Sequence, residues 1–238
     1  MLLCSLVRED LLRLLPKGGE VAEIGVAQGE FSRAILANAS PRKLHLIDPW
    51  EHQEREDYQS DGNNAEANEQ ERRHQAVCAQ FSKAVQAGQV EIHRAYSAAA
   101  AQKFTAAQFD WIYIDGLHSY DGVKSDLQHY KDKVKPDGLI LGHDYANHWR
   151  AQQMNFGVVE AVNEFTKSEG FEFVALAHDL FPTYVLARNA EAPVIQTLIA
   201  NLLLCVPGVV ELPEFPAKGI YQQKIIDVSG NLRVFPSF

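Results

Sequence analysis

Val21-Ala22-Glu23-Ile24-Gly25-Val26-Ala27-Gln28-Gly29-Glu30 decides how this chain is read. A short apolar run of strand type meets a turn carrying two glycines, and residues 31–39 continue as a helical pattern. The unit is strand, glycine loop, helix. Working outward, Leu44-His45-Leu46-Ile47-Asp48 is a second strand, stopped by Pro49, which has no N–H to give a sheet ladder. Val90-Glu91-Ile92-His93 alternates as a third strand. Phe109-Asp110-Trp111-Ile112-Tyr113-Ile114-Asp115, rich in aromatic and β-branched residues, is the strongest strand of the chain. Leu139-Ile140-Leu141-Gly142, after the turn Lys135-Pro136-Asp137-Gly138, is the fifth. Helical patterns fill the gaps at 65–87, 98–107, 121–130 and 158–167, the first with Val77, Phe81 and Val85 at i, i+4, i+8. Residues 171–177 and 183–188 are strands joined by only 178–182, so they pair as an antiparallel hairpin. Strands alternating with helices through short crossovers predict an α/β, Rossmann-like, doubly wound sheet, and the hairpin makes it a mixed sheet of seven strands.

Composition sets the outer bounds. The 238 residues are 46% hydrophobic and 22% charged, ordinary globular usage that supports a real core. A net charge of −9 repels a phosphate backbone, which speaks against nucleic acid as a partner. Cys4, Cys78 and Cys205 are scattered, with neither a disulfide framework nor a C-x-x-C zinc spacing, and a reducing cytoplasm fits them best. Residues 2–15 are interrupted by Arg8, Glu9, Asp10 and Arg13, and read as an amphipathic helix ending at Pro16 rather than a signal segment. No run approaches the roughly 20 apolar residues of a membrane span, so no membrane partner is expected.

Charge is unevenly spread. Residues 51–74 hold eight acids (Glu51, Glu54, Glu56, Asp57, Asp61, Glu66, Glu69, Glu71) against three arginines, a local charge of −5. The stretch reads either as a solvated loop or as a lid over a site. The expected organisation is one domain over 1–190, with an N-terminal helix in 1–19 and the lid-like segment and helix in 51–88. Beyond it, residues 191–238 form an extension with an apolar helix at 194–206. That extension serves assembly into a homo-oligomer or packs back onto its own domain; both readings stand.

In a doubly wound sheet, ligands bind beyond the carboxyl ends of the strands. Here those ends carry Glu23 to Gly29, Asp48, Tyr96-Ser97, Asp115-Gly116-Leu117-His118 and Gly142-His143-Asp144-Tyr145. The glycine spacing is G-x-x-x-G, which lacks the full dinucleotide cradle, and Asp48 stands where an acid accepts hydrogen bonds from ribose hydroxyls. With these residues the sequence resembles the class I S-adenosyl-L-methionine-dependent methyltransferases, whose first motif matches Glu-x-Gly-x-x-x-Gly at Glu23 to Gly29. Ile47-Asp48-Pro49-Trp50, Ile114-Asp115-Gly116-Leu117-His118-Ser119-Tyr120, Pro136-Asp137-Gly138, Gly142-His143-Asp144-Tyr145 and Phe156-Gly157-Val158 narrow the resemblance to the branch with the macrolide and aminocoumarin sugar O-methyltransferases.

The resemblance implies S-adenosyl-L-methionine as cofactor, bound by Glu23, Gly25, Gly29, Asp48, Ser97 and Asp115. It implies a small-molecule, sugar-like acceptor, and it places a metal ion at Asp115, His143 and Asp144. Mg²⁺ prefers oxygen ligands, and His143 stands where an acid or amide is usual, so Mg²⁺, another divalent ion that tolerates imidazole, and no ion all remain open. His118, with Asp115, is implied as the catalytic pair, His118 acting as general base; His143 is the alternative base. By the same likeness the region after Trp50 folds over the substrate, bringing Trp50, His52 and Tyr58 toward it. His45, His93 and His129 read as structural or surface residues. Two competing functions are an NAD-dependent dehydrogenase and a non-catalytic cofactor-binding subunit. The incomplete phosphate loop argues against the first, and Asp115, His118 and Asp144 together argue against the second.

Overall fold

The computed structural model describes every residue except Asp57, Ser60 and Gly219. Its strands are β1 (Leu2–Cys4), β2 (Glu20–Ile24), β3 (Lys43–Asp48), β4 (Val90–Arg94), β5 (Phe109–Ile114), β6 (Val134–Gly142), β7 (Glu172–Ala177), β8 (Thr183–Ala187), β9 (Val210–Glu211), β10 (Gln222–Val228) and β11 (Asn231–Ser237). The helices are α1 (Arg8–Leu14), α2 (Glu30–Ala39), α3 (Ala67–Gln86), α4 (Ser97–Ala101), α5 (Tyr120–Tyr130), α6 (Trp149–Gln153), α7 (Val158–Glu169) and α8 (Pro193–Cys205).

The main sheet runs β4-β3-β2-β5-β6-β8-β7-β1-β9, and β10 and β11 form a separate antiparallel pair. The doubly wound, mixed sheet is as expected: β2, β3, β4, β5 and β6 are parallel, while β8 runs antiparallel to both β6 and β7. The strand number is corrected from seven to nine. Leu2–Cys4 pairs in parallel with β7, and the two-residue β9 pairs with β1. The leucines of residues 2–15 suggested one helix, but only Arg8–Leu14 is helical, because Leu2 and Cys4 bury as strand residues against the sheet. The alanine-rich helix is likewise shorter than its composition suggests, stopping at Ala101.

Alternation along the strands gives the sheet two apolar faces. Val21, Trp111 and Leu139 face Leu11, Ile35, Val77 and Ile195. Ala22, Ile112 and Ile140 face Ala100, Leu127 and Val162. Val77 and Phe81 are buried on α3, whereas Val85, one turn on, is exposed. The three cysteines are free, and among the described residues no helix is long and apolar enough to cross a membrane.

Candidate active site

The turn after β2 explains its glycines. Gly25 has φ +88°, and a Cβ there would stand 2.0 Å from the carbonyl oxygen of Asp115, so only glycine lets the exits of β2 and β5 approach. Its N–H donates to the Ile47 carbonyl at 2.9 Å. Gly29, φ +74°, caps α2 and lies against Phe81 of α3. Asp48, closing β3, holds this loop: one carboxylate oxygen accepts from the N–H groups of Val26 (2.9 Å) and Ala27 (3.0 Å), the other from Trp50 N–H (2.7 Å). Burial pushes the Asp48 carboxyl up against the pull of those three donors. Trp50, expected toward substrate, is instead buried, with its indole N–H donating to Ala27 O at 2.8 Å.

Beyond the carboxyl ends of β2, β3 and β5 lies a cavity of about 300 Å³ lined by, among others, Gly25, Asp48, Ser97, Asp115 and Asp126. The Ser97 hydroxyl donates to Asp126, whose carboxyl is pushed up to about 6 by burial. Glu23 and Gly29 stand behind this lining: Glu23 is buried, accepts from the Ser32 hydroxyl, and is pushed up to about 8 by burial. Tyr58 of the acidic segment and Arg73 of α3 also line the cavity. The segment's Asn63 carbonyl accepts from Gln70 Nε2 (2.7 Å) and Arg73 Nη1 (3.1 Å) on α3, while Asp57 falls outside the described residues. His52 turns aside, its Nδ1 3.2 Å from the Ala65 carbonyl.

Asp115 belongs both to this cavity and to a second cluster. His118 Nε2 lies 3.0 Å from Asp144 Oδ2 and 3.6 Å from Asp115 Oδ1, and its Nδ1 lies 3.3 Å from Asp61 Oδ2. His143 Nδ1 is 3.4 Å from Asp144 Oδ1 and 3.7 Å from Asp115 Oδ1. Burial opposes charge on His118, yet Asp144, Asp115 and Asp61 hold its pKa well above the usual imidazole range. Burial would likewise raise Asp115, but His143, His118 and Arg8 hold it well below the usual carboxylate range.

Although both nitrogens of His118 are close to carboxylates, neither has a partner with hydrogen-bond geometry. Close but misaligned buried donors and acceptors are what a shared cation would resolve, so the residues present fit a metal ion. Among the described residues, Asp115, His118 and Asp144 offer ligand atoms all within 4.8 Å of one another. His143 Nδ1 faces the same two carboxylates, so Asp115, Asp144 and His143 can hold an ion while His118 stays free to take a proton. The mixed oxygen and nitrogen donors suit Mn²⁺ or another first-row ion better than Mg²⁺.

Sequence reasoning missed Arg8, Asp61 as a partner of His118, and Asp179. Arg8 Nη1 donates to Asp115 Oδ2 at 2.8 Å with its guanidinium 4.4 Å above the Phe31 ring. Asp179, in the β7–β8 turn, is pushed up to about 6, chiefly by burial. The polar ends of the strands pointed to Asp115 and Asp144, but nothing local marks Arg8, whose partner lies 107 residues away.

A family model described as a methyltransferase domain matches residues 22–145, just over half of the chain. The chain belongs to this methyltransferase family. No curated protein matches the chain significantly. Among solved structures, an O-methyltransferase family protein from Burkholderia thailandensis shares 11% identity at TM-score 0.54, covering 77% of this chain and 55% of that one. A candidate methyltransferase from Streptococcus mutans in complex with SAH shares 10% at TM-score 0.50, covering 75% and 93%. The chain spans 60% of the length of the spermidine synthases it also matches. At these identities the structural likenesses show the shared fold. The methyltransferase domain therefore covers the glycine loop, Asp48, Asp115, His118, His143 and Asp144 together.

Proposed function

We propose that this methyltransferase moves the methyl group of S-adenosyl-L-methionine to a hydroxyl of a small, polyol-like acceptor, with a divalent ion at Asp115 and Asp144. The observation that carries the reading is the double membership of Asp115: it lines the glycine-loop cavity and also faces His118. Cofactor and acceptor chemistry would meet there.

Transfer from a sulfonium is an in-line displacement, so the chain mostly positions two reactants and excludes water. Asp48 and Ser97 line the cavity together with Tyr58, and in this reading they would hold ribose and adenine. An alcohol is a poor nucleophile until its proton leaves, and His118 is the base the geometry favours. Asp61 Oδ2, 3.3 Å from Nδ1, is near enough to become the orienting carboxylate such a base uses once the two groups align. With its pKa held high by three acids, His118 keeps its proton unless their charge is met. A divalent ion held by Asp115 and Asp144 would supply that charge and would make an acceptor hydroxyl easier to deprotonate. Arg8 fixes one oxygen of Asp115, leaving the other toward His118.

Calorimetry tests the reading. S-adenosylhomocysteine should bind and NADH should not; preferential NADH binding would overturn it in favour of a dehydrogenase. Transfer of labelled methyl to a panel of polyols, amines and thiols then decides the acceptor atom, and labelling of amines or thiols alone would remove the hydroxyl assignment.

A further inference from the structure

His45 and His93, which read as structural or surface residues in the sequence, are both buried and meet inside the sheet. His45 lies on β3 and His93 on β4, both buried on the face that carries Phe104 and Phe109. His45 Nδ1 and His93 Nε2 face each other at 2.9 Å. On the far side of the ring, His45 Nε2 lies 3.1 Å from Glu20 Oε1 of β2. A carboxylate accepts only, so Nε2 carries the hydrogen and Nδ1 presents a bare lone pair to His93. Glu91, two residues before His93, turns its carboxylate to the same point: Oε1 is 3.6 Å from His93 Nε2 and Oε2 is 3.9 Å from His45 Nδ1.

We propose that His45, His93 and Glu91 form a second cation site, for a late first-row divalent ion of the zinc type, separate from the candidate active site. The ligand atoms of the three residues lie within 4.8 Å of one another. Two imidazoles and one carboxylate, with water completing the shell, are a donor set that zinc takes. Ligands about 2.0–2.1 Å from one ion stand about 3.3 Å apart in a tetrahedron, so the rings need part by only some tenths of an ångström. The hydrogen between them moves to His93 Nδ1 when the ion enters, which leaves both facing nitrogens free to bind. Glu20 supplies the carboxylate that metal-bound histidines commonly have behind them, and it is itself held by Arg42 Nη2 (3.0 Å) and Gln108 Nε2 (2.7 Å). Lys43 occupies Oε2 of Glu91, which leaves Oε1 toward His93. Glu91 is 47% exposed in its side chain and opens the site to solvent, so an ion has a way in. Burial keeps both rings uncharged, as ligands must be, and pushes His93 down to about 4. An ion held there would clamp β3 to β4, with β2 behind.

Cobalt(II) tests this on untagged full-length protein stripped with a chelator. An Asp115→Asn/Asp144→Asn variant silences the other cluster and should still bind one equivalent of Co²⁺ with the strong visible absorption of a four-coordinate site. Adding His93→Gln should abolish that signal. Glu91→Gln, at an exposed position that does not threaten folding, should weaken binding at least 10-fold, and Glu20→Gln about 10–100-fold. Absence of Co²⁺ uptake in the Asp115→Asn/Asp144→Asn variant, or uptake that Glu91→Gln leaves unchanged, overturns the proposal.

Discussion

The two histidine and carboxylate clusters of this molecule are built from the same residue types and reach opposite charge states. At the candidate active site, His118 faces Asp61, Asp115 and Asp144, of which Asp115 also has an arginine, and the ring is held protonated. In the sheet, His45 and His93 face each other, while Glu20 and Glu91 are matched by Arg42 and Lys43, and burial leaves the rings neutral. Burial penalises imidazolium in both places, so what separates them is how many carboxylates lack another cation. A cluster with surplus negative charge holds protons or cations where chemistry needs them. A balanced one offers bare lone pairs.

The comparison breaks most visibly at His118. His118→Ala should cost roughly 10²–10⁴ in turnover while S-adenosylhomocysteine affinity stays as in wild type, since the ring lies outside the cavity lining. Unchanged turnover would mean that the surplus charge serves no proton transfer there. A smaller effect is expected from Asp144→Ala. Mn²⁺ at about 100 times its dissociation constant should stabilise wild type by about 2.7 kcal/mol, a rise in Tm of about 5–10 °C, and leave the variant's Tm where it was. An equal rise in both would remove Asp144 from the ion's ligands.

Glu23 sharpens the contrast at the small end, being a buried carboxyl whose hydrogen-bond partner is the Ser32 hydroxyl. Burial raises its folded pKa to about 8, above an unfolded value near 4.3, so the folded state binds the extra proton. Its contribution to stability is fully present below the unfolded pKa and is lost as pH rises through about 8. Chemical denaturation from pH 6 to 9 should therefore show wild type losing up to about 1.4 kcal/mol per pH unit more than Glu23→Gln. Parallel profiles would show that Glu23 ionises freely in the fold.

Much of this was legible along the chain because the controlling interactions are local. Alternation and aromatic content gave β2 to β8, and the polar residues ending those strands gave Asp48, Asp115, His118 and Asp144. The positive φ of Gly25 follows from a turn that the sequence already announced. What escaped depends on partners distant in sequence or on segments too short to carry a period. Leu2–Cys4 is three residues long and becomes a strand by pairing with β7, and β9 has two residues. Arg8 reaches Asp115 because β1 anchors the start of α1 beside the strand ends, which no helical pattern reveals. The His45–His93 contact likewise crosses 48 residues and needs the parallel register of β3 with β4.

The placement of β1 and β9 also decides what the main sheet presents at its border. β7 is apolar along nearly all its length, and as a border strand it would offer a row of unpaired amides beside hydrophobic side chains, the template on which chains add to one another end over end. β1 covers that row, and β9 leaves a border only two residues long, too short to seed a growing ladder. At the opposite border, β4 carries Glu91 and Arg94 among its five residues, charges that an incoming strand would have to strip of water. The main sheet thus ends on a two-residue strand at one border and a charged one at the other, with its long apolar strands in the interior.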